Sequence, residues 1–464
     1  MHTPLLLALA VLLSGCASPS PRATVLPQAQ VPVAWSGGGA TPAAATSLAQ
    51  WWQRFDDPML GSLVTQALQA NTTVRSAQGA LQQARALRDV SFANLLPKLS
   101  AAGSAQRSKS GSSEASNLFK AGFDASWEPD VFGGKRSALN ATEADAQAAQ
   151  ASLADTQVSI AAEVAVTYIE LRGLQARLAI ARNNLASQNE TQQITDWRVQ
   201  AGLASSLDLE QARAASAQTN AEIPTLQTNA AQAQHSLAVL TGQAPGALRA
   251  LLTTTGPLPQ APSELALSIP AETLRQRPDV RAAEHRISAA LARVSQADAA
   301  RYPGFQISGS LGLSALSLGS LTTTGTVVNA LLASVSVPLF DGGAARAQVR
   351  AQEAALEQTR VSYQATVLTA LKDVENALVS LQGNRERLAR LQTAADAATN
   401  ADLLARQRYT SGLIDFRAVL ETQRTLLSTQ DSVESTRASL SADHVRLYKA
   451  LGGGWTPELE TATR

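Results

Sequence analysis

The chain of 464 residues contains one pattern twice, and this duplication limits the possible folds more than any other feature of the sequence. Phe132-Gly133-Gly134 returns as Phe340-Asp341-Gly342-Gly343, and Gly202-Leu203 returns as Gly412-Leu413. The spacing between matching residues changes by only a few positions along the chain. Two copies of one large unit indicate a pseudo-symmetric body, such as a tube or ring, rather than a single catalytic cleft.

The composition favours long helices that pack closely. Hydrophobic residues make up 45% of the chain but aromatic residues only 4%, and the formal net charge is +1. Small apolar side chains among many polar ones suit helices with wet outer faces. A nearly balanced charge predicts no nucleic-acid partner.

The first residues have the pattern of a targeting segment. An apolar run too short for a membrane span ends in Leu13-Ser14-Gly15-Cys16, and Cys16 is the only cysteine of the chain. This pattern resembles the lipobox of bacterial lipoproteins, which implies a signal peptide over 1–15 and a covalent lipid on Cys16. An ordinary signal peptide with a chance cysteine is the alternative. Residues 16–47, rich in Pro, Ser, Ala and Gly, are predicted to be a lipid-anchored tether.

Two windows alternate between apolar and polar residues and predict β-hairpins over 98–129 and 304–340. Their strands are long enough to cross a bilayer when tilted. No stretch of 18 uninterrupted apolar residues occurs, so any membrane crossing would be made by strands. Because four strands cannot close a barrel, several protomers would have to share one. Alternation alone is equally compatible with soluble hairpins that pack on a core.

Heptad spacing of apolar residues predicts two long helices, over 134–201 and 343–411. Each would be about 100 Å long at the usual helical rise. Shorter helices are predicted on either side, and two of them stacked end to end match one long helix. Their ranges are 60–96, 203–241, 272–302 and 413–451. A coiled-coil rod without a lumen is the alternative, although it would not need the hairpins.

The duplication divides the chain into a first repeat over 48–245 and a second repeat over 270–454. A linker over 246–269 joins them, and a tail follows over 455–464. Each repeat is predicted to contain helices, one hairpin, one long helix and a tight turn. These turns, at 200–205 and 410–415, are centred on the repeated Gly-Leu pairs.

Four stretches in this order resemble the TolC-like outer-membrane efflux channels, in particular the OprM/NodT-type lipoprotein branch. They are Trp51-Trp52-Gln53-Arg54-Phe55-Asp56-Asp57-Pro58-Met59-Leu60, Trp127-Glu128-Pro129-Asp130-Val131-Phe132-Gly133-Gly134, Arg277-Pro278-Asp279-Val280-Arg281-Ala282-Ala283-Glu284 and Leu339-Phe340-Asp341-Gly342-Gly343. The resemblance covers residues 16 to about 455.

The resemblance implies a mixed α and β fold that is completed by a homotrimer. Three chains would form a twelve-stranded transmembrane β-barrel that continues into a twelve-helix periplasmic α-barrel. The assembly would lie in the outer membrane, anchored by the lipid on Cys16 and in contact with outer-membrane lipid. It would act with a periplasmic adaptor and an inner-membrane pump of the RND type, and would conduct small molecules passively.

The resemblance also suggests roles for residues near the two turns, which it places at the periplasmic tips. Candidates for contact with the adaptor are Gly202, Leu203, Ala204, Ser205, Gly412, Leu413, Ile414 and Asp415. Candidates for the periplasmic gate are Asp208, Tyr409, Arg417, Glu421 and Arg424. Arg417, Ala418 and Ile414 depart from common family residues, so the closed-state contacts are expected to differ. The alternatives are that the tips are only turns, and that Glu421 is a solvated charge paired with Arg424.

No enzymatic function is predicted, and no cofactor apart from the covalent lipid. The four histidines show no metal-binding spacing, and the chain has neither a phosphate-binding glycine loop nor a Gly-x-Ser-x-Gly motif. Two other functions stay open. One is the outer-membrane channel of a type I protein-secretion system, and the other is a structural envelope lipoprotein without a pore.

Overall fold

A computed structural model describes residues 48–260, 271–323 and 325–455. The predicted signal peptide, Cys16 and the tether lie outside these residues, as do part of the linker and most of the tail. The described chain is mixed α and β, as predicted. No helix in the described part of the chain is both long enough and apolar enough to cross a bilayer. The chain divides into two compact units.

The first unit, which includes residues 79–151 and 281–366, contains one four-stranded antiparallel sheet. Neighbours in the sheet follow chain order, β1-β2-β3-β4. The hairpins therefore pair with each other through β2 and β3. The strands are β1 (Lys98–Ser108), β2 (Ser116–Trp127), β3 (Gly304–Ala315) and β4 (Val327–Ser336).

The two faces of the sheet differ in polarity because successive side chains alternate between them. The register aligns Ala101, Phe123 and Leu311 across three strands on one face. It aligns Ser100, Asp124 and Ser310 on the other. Lys98, Ser104, Lys120, Gln306 and Ser314 share the polar face. The sheet thus has one mainly apolar face and one mainly polar face.

The helices follow the repeat. They are α1 (Pro58–Ala70), α2 (Thr72–Ala93), α3 (Gly134–Gln200), α4 (Ser206–Leu240), α5 (Arg249–Leu252), α6 (Pro278–Ala299), α7 (Ala344–Thr410) and α8 (Phe416–Ala450). The long helices α3 and α7 each contain 67 residues. The short helix α5 lies inside the predicted linker.

The prediction of one continuous helix over 60–96 was wrong, because Asn71 is extended and separates α1 from α2. Its side-chain oxygen accepts hydrogen bonds from the backbone N–H groups of Thr73 and Val74, at 2.8 and 3.2 Å. Its side-chain nitrogen donates to the carbonyl of Leu240 at 2.9 Å. A buried asparagine therefore starts a new helix and ties it to the end of α4.

The last strand is shorter than predicted. The second hairpin was predicted over 304–340, but its last strand, β4, ends at Ser336. Pro338 lies two residues further on and has no N–H to donate to a strand ladder.

The second unit, which includes residues 48–78, 152–260, 271–280 and 367–455, has an aromatic and aliphatic core. Trp51 is fully buried and stacks on Tyr448 in α8, with ring centroids 5.6 Å apart. Tyr168 in α3 donates its hydroxyl to Asp57 at 3.0 Å and accepts from Arg172 at 3.0 Å. Burial, the largest cause, raises the pKa of Tyr168 to about 12. These contacts fix the segment before α1 against α3 and α8.

Because His444 in α8 is buried, we expect the second unit to become less stable in mild acid. Its side chain is buried, and burial, helped by the charge of Arg385 and opposed by Asp443, lowers its pKa from 6.5 to about 4. Because the native state holds a neutral imidazole, protonation favours unfolding. Stability should be complete above pH 6.5 and decline as the pH falls towards 4. Thermal melts at pH 7.0 and 4.5 should show a smaller acid-induced loss for His444→Gln than for the wild type; equal losses would contradict this.

Candidate functional site

The two repeated Gly-Leu pairs form matching turns between a long helix and a shorter one. Gly202 and Gly412 have φ values of +71° and +74°, a region that glycine adopts without a steric penalty. Leu203 donates its N–H to the carbonyl of Arg198 at 2.7 Å, and Leu413 donates to Arg408 at 2.8 Å. These bonds satisfy carbonyls that the helix ends leave unpaired, as in a Schellman motif.

The residues after each glycine start the next helix. Ser205 caps α4, since its hydroxyl oxygen accepts a hydrogen bond from the backbone N–H of Asp208. The carboxylate of Asp208 in turn accepts from the backbone N–H of Ser205 at 3.1 Å. Asp415 caps α8 by accepting from the N–H of Ala418 at 3.1 Å. The structure thus gives three of the predicted site residues, Ser205, Asp208 and Asp415, a local capping role.

The second turn has a small apolar core around Tyr409. Its ring is buried and lies 5.4 Å from the ring of Phe416, measured between centroids. Ala212, Ala405 and Val419 complete the cluster, which therefore joins α4, α7 and α8. The residue that corresponds to Tyr409 at the first turn is Val199, so the two turns are packed differently.

Arg198, which the sequence analysis did not select, holds Tyr409 in place. Its guanidinium donates to the carbonyl of Tyr409 at 2.6 Å and lies 4.5 Å from the centre of the tyrosine ring. A cation there compensates the carbonyl end of α7. The repeat contained a signal for this residue, since Arg408 occupies the corresponding position in the last turn of α7.

The other charged candidates lie along one face of α8. Arg417, Glu421 and Arg424 are exposed and spaced so that they share this face. Arg424 approaches Glu421 to 3.9 Å, with about 70% of both side chains exposed. An ion pair this open contributes little to stability, so the three charges are available to a neighbouring molecule or to solvent.

The structure brings some predicted gate residues together and leaves others apart. Glu421 and Arg424 pair along α8, while Tyr409 packs with residues on α3, α4 and α8. None of the hydrogen bonds and ion pairs of the described residues joins Asp208 to Tyr409 or to Glu421. The role of these residues in a periplasmic gate therefore stays a prediction.

Between the turns and the aromatic core, α3 and α8 are joined by polar contacts. Gln423 donates to Thr191 at 2.9 Å, and Asn184 donates to Gln430 at 3.0 Å. Further from the turns, the guanidinium of Arg177 donates hydrogen bonds to both carboxylate oxygens of Asp431, at 2.6 and 3.1 Å. Buried polar side chains therefore take part in this section of the helix packing.

The predicted adaptor-contact residues vary in exposure. Leu203 and Leu413 at the turns are strongly exposed, while Ala204 and Ile414 are half-buried. Each turn therefore exposes one leucine, at matching positions of the two repeats. No group of residues suited to holding a metal ion occurs in 48–260, 271–323 or 325–455.

Comparisons with known proteins agree with this architecture. Residues 63–243 and 269–453 match the family described as "Outer membrane efflux protein". The chain belongs to the outer membrane efflux protein family. The two matched segments correspond to the two repeats, and the predicted resemblance to efflux channels is confirmed. The family consists of channel proteins, and this chain is an outer-membrane efflux channel protein.

Relatives of known role cover almost the whole chain. The pyoverdine export outer membrane protein OpmQ of Pseudomonas aeruginosa is 31% identical, over 99% of this chain and 98% of its own. The toluene efflux pump outer membrane protein TtgF of Pseudomonas putida is 30% identical, over 97% and 96%. The solved structure of the outer-membrane channel OprN has a TM-score of 0.87 and 35% identity, and the match covers 94% of this chain and 100% of OprN.

Proposed function

We propose that this outer-membrane efflux protein is the exit channel of a tripartite pump and works as a homotrimer. In this proposal each chain contributes its four strands to one closed barrel in the outer membrane and its helices to a tube in the periplasm. Solutes pass through the lumen without chemical change. Proteins that span by strands must close the sheet, because lipid cannot satisfy an open backbone edge.

The observation that carries this proposal is the sheet with one apolar and one polar face and two free edges. In the described chain, β1 and β4 each pair with a strand on one side only. A sheet in a membrane barrel needs an apolar face towards lipid and a polar face towards the lumen, which is the polarity of this register. Pairing of β1 with β4 of the next copy would remove both edges.

Two partner proteins complete the proposed pump. We propose that a periplasmic adaptor covers Leu203 and Leu413, and that an inner-membrane pump of the RND type supplies the solute. The exposed leucine at each turn supports the first part. The second is supported by TtgF, which is named as part of an efflux pump.

A conductance measurement tests the channel function. The purified protein, reconstituted into a planar bilayer, should insert as a unit with discrete single-channel currents. A structural lipoprotein without a pore would add protein to the bilayer without any current steps, and that result would overturn the proposal.

The lipid anchor gives a separate prediction. If the thiol of Cys16 carries the lipid, intact-mass measurement of the mature protein should show acyl chains on a polypeptide that begins at residue 16. Cys16→Ser should lose these acyl chains. Because the strands are proposed to insert into the membrane themselves, this variant should still reach the outer membrane. A mature protein of unmodified mass would contradict the anchor.

The gate residues give another prediction. Glu421→Ala and Asp208→Ala should raise the resting conductance, because each removes a carboxylate from the links between neighbouring helices that are proposed to hold the periplasmic mouth closed. Asp208 also caps α4, and losing that cap costs about 1 kcal/mol. Ser205→Ala, which weakens the same cap without changing charge, is the control. If Ser205→Ala raised the conductance as much as Asp208→Ala, Asp208 would act only through its cap.

A further inference from the structure

Phe132, in the segment between β2 and α3, packs on residues of the second repeat. Its ring stacks on that of Tyr302 at 4.9 Å and lies 6.4 Å from that of Phe305, measured between centroids. A β-carbon on Gly134, the first residue of α3, would lie 3.2 Å from the β-carbon of Ala299, the last residue of α6. This junction between sheet and helix is therefore covered by α6 and β3 of the same chain.

The matching junction between β4 and α7 is exposed. The duplication makes Phe340 the counterpart of Phe132, and it makes Ala344, the first residue of α7, the counterpart of Gly134. Phe132 is half-buried, whereas the side chain of Phe340 is 92% exposed. The same ring is thus packed in one repeat and open in the other.

The counterparts of the residues that cover Phe132 lie beside β1, at the other edge of the sheet. Leu96 corresponds to Tyr302 and Leu99 to Phe305, an alignment fixed by the proline that follows Leu96 and Tyr302. The side chains of Leu96 and Leu99 are 50% and 72% exposed. The chain therefore exposes an aromatic ring beside β4 and two leucines beside β1, on the two edges that a second copy would join.

A neighbouring pair of positions fits the same contact. Within the chain, Asp145 of α3 forms an ion pair with Arg293 of α6. The corresponding positions are Ala355 of α7 and Leu87 of α2. The first pair has a charge on each side and the second has an apolar side chain on each side, so both combinations are complementary.

We propose that Phe340 packs on Leu96 and Leu99 of the next copy of the chain, with the start of α7 against the end of α2. Within the chain, α6 and β3 cover the first junction; between copies, α2 and β1 cover the second. The contact rests on the proposed homotrimer and deepens it, because it names the residues that join one copy to the next. It also extends the proposed pairing of β1 with β4 from the sheet to the helices.

Cysteine pairs test the contact, with a matched pair inside the chain as the control. Ala93→Cys with Ala344→Cys should form a disulfide between chains, because the matching pair inside the chain brings β-carbons to nearly the separation found in disulfides, about 3.5–4.5 Å. After mild oxidation of outer-membrane fractions, a non-reducing denaturing gel should show linked dimers and trimers. Gly134→Cys with Ala299→Cys should lose its free thiols but run as a single chain. Each single variant should give no link, which excludes a contribution from Cys16.

Phe340→Ala tests the ring itself. Native mass spectrometry in detergent should show the fraction of single chains raised at least about tenfold, since the variant loses an aromatic side chain that the contact buries in every copy. Leu99→Ala should act in the same direction. Leu339→Ala is the control, because Leu339 corresponds to Val131, which stays 46% exposed although Phe132 beside it is packed. This variant should leave the fraction of single chains as in the wild type.

The outcomes separate this contact from the exit-channel function. A trimer that forms without the link between residues 93 and 344, while the control pair is oxidised, overturns the contact and leaves the exit channel standing. The same holds if Phe340→Ala weakens the trimer no more than Leu339→Ala does. Equal loss of both variants from the membrane, with an unchanged number of chains, would mean that lipid covers the ring, and this also overturns the contact. A wild type that remains a single chain overturns the contact and the shared barrel together.

Discussion

Leu331→Arg should remove most of the protein from the outer membrane, whereas Leu332→Arg, one residue further along the same strand, should not. Leu331 lies opposite Gly309 on the mainly apolar face of the sheet, and Leu332 lies opposite Ser308 on the polar face. Both leucines are strongly exposed in the single chain, at 83% and 61%. In the proposed barrel the first faces lipid and the second faces the lumen.

The expected difference between the two variants is large. An arginine on the lipid face of a membrane barrel costs about 2–4 kcal/mol near the middle of the bilayer, while lumen positions tolerate charge. Losses of this size change the amount of folded protein severalfold. Immunoblots of separated outer-membrane fractions should therefore show a strong loss for Leu331→Arg only. Equal levels of the two variants would contradict the assignment of one face of the sheet to lipid and the other to the lumen.

Tyr409→Ala should open the periplasmic end at rest. The ring of Tyr409 joins three helices at the second turn, and removing a buried aromatic side chain of this kind costs about 3–5 kcal/mol. Arg198 would also lose the ring under its guanidinium. With this packing gone, α7 and α8 are held less firmly at the turn, so the resting single-channel conductance should rise well above that of the wild type.

Tyr409→Phe separates the ring from the hydroxyl. Within the part of the chain that the structure describes, the hydroxyl makes one long hydrogen bond, of 3.5 Å to Thr195, so its loss should cost no more than about 1 kcal/mol. Tyr409→Phe should therefore keep the conductance of the wild type. If Tyr409→Ala also behaved like the wild type, the apolar cluster would have no part in closing the channel. If Tyr409→Phe matched Tyr409→Ala, the hydroxyl rather than the ring would be decisive.

The sequence was informative where local patterns determine the structure. Alternating residues such as Phe119, Phe123 and Trp127 indicated the strands, and the structure places them on one face of β2. The repeated glycines at 202 and 412 indicated reversals of the chain, and both have positive φ values. Side-chain alternation and the backbone freedom of glycine are local properties, so a short run of sequence is enough to reveal them.

The sequence was less informative where distant residues decide the structure. The break at Asn71 is stabilised by the carbonyl of Leu240, 169 positions away. Arg198 and Tyr409 meet across 211 positions, and neither side chain shows this in its own segment. Such contacts follow from packing, so a pattern within one segment cannot reveal them.

Single-particle imaging of the detergent-extracted protein tests the shared barrel most directly. The account predicts a particle with threefold symmetry in which β1 of each chain pairs with β4 of the next around a hollow centre. A particle with one chain, or a trimer whose β1 and β4 edges remain unpaired, would contradict it.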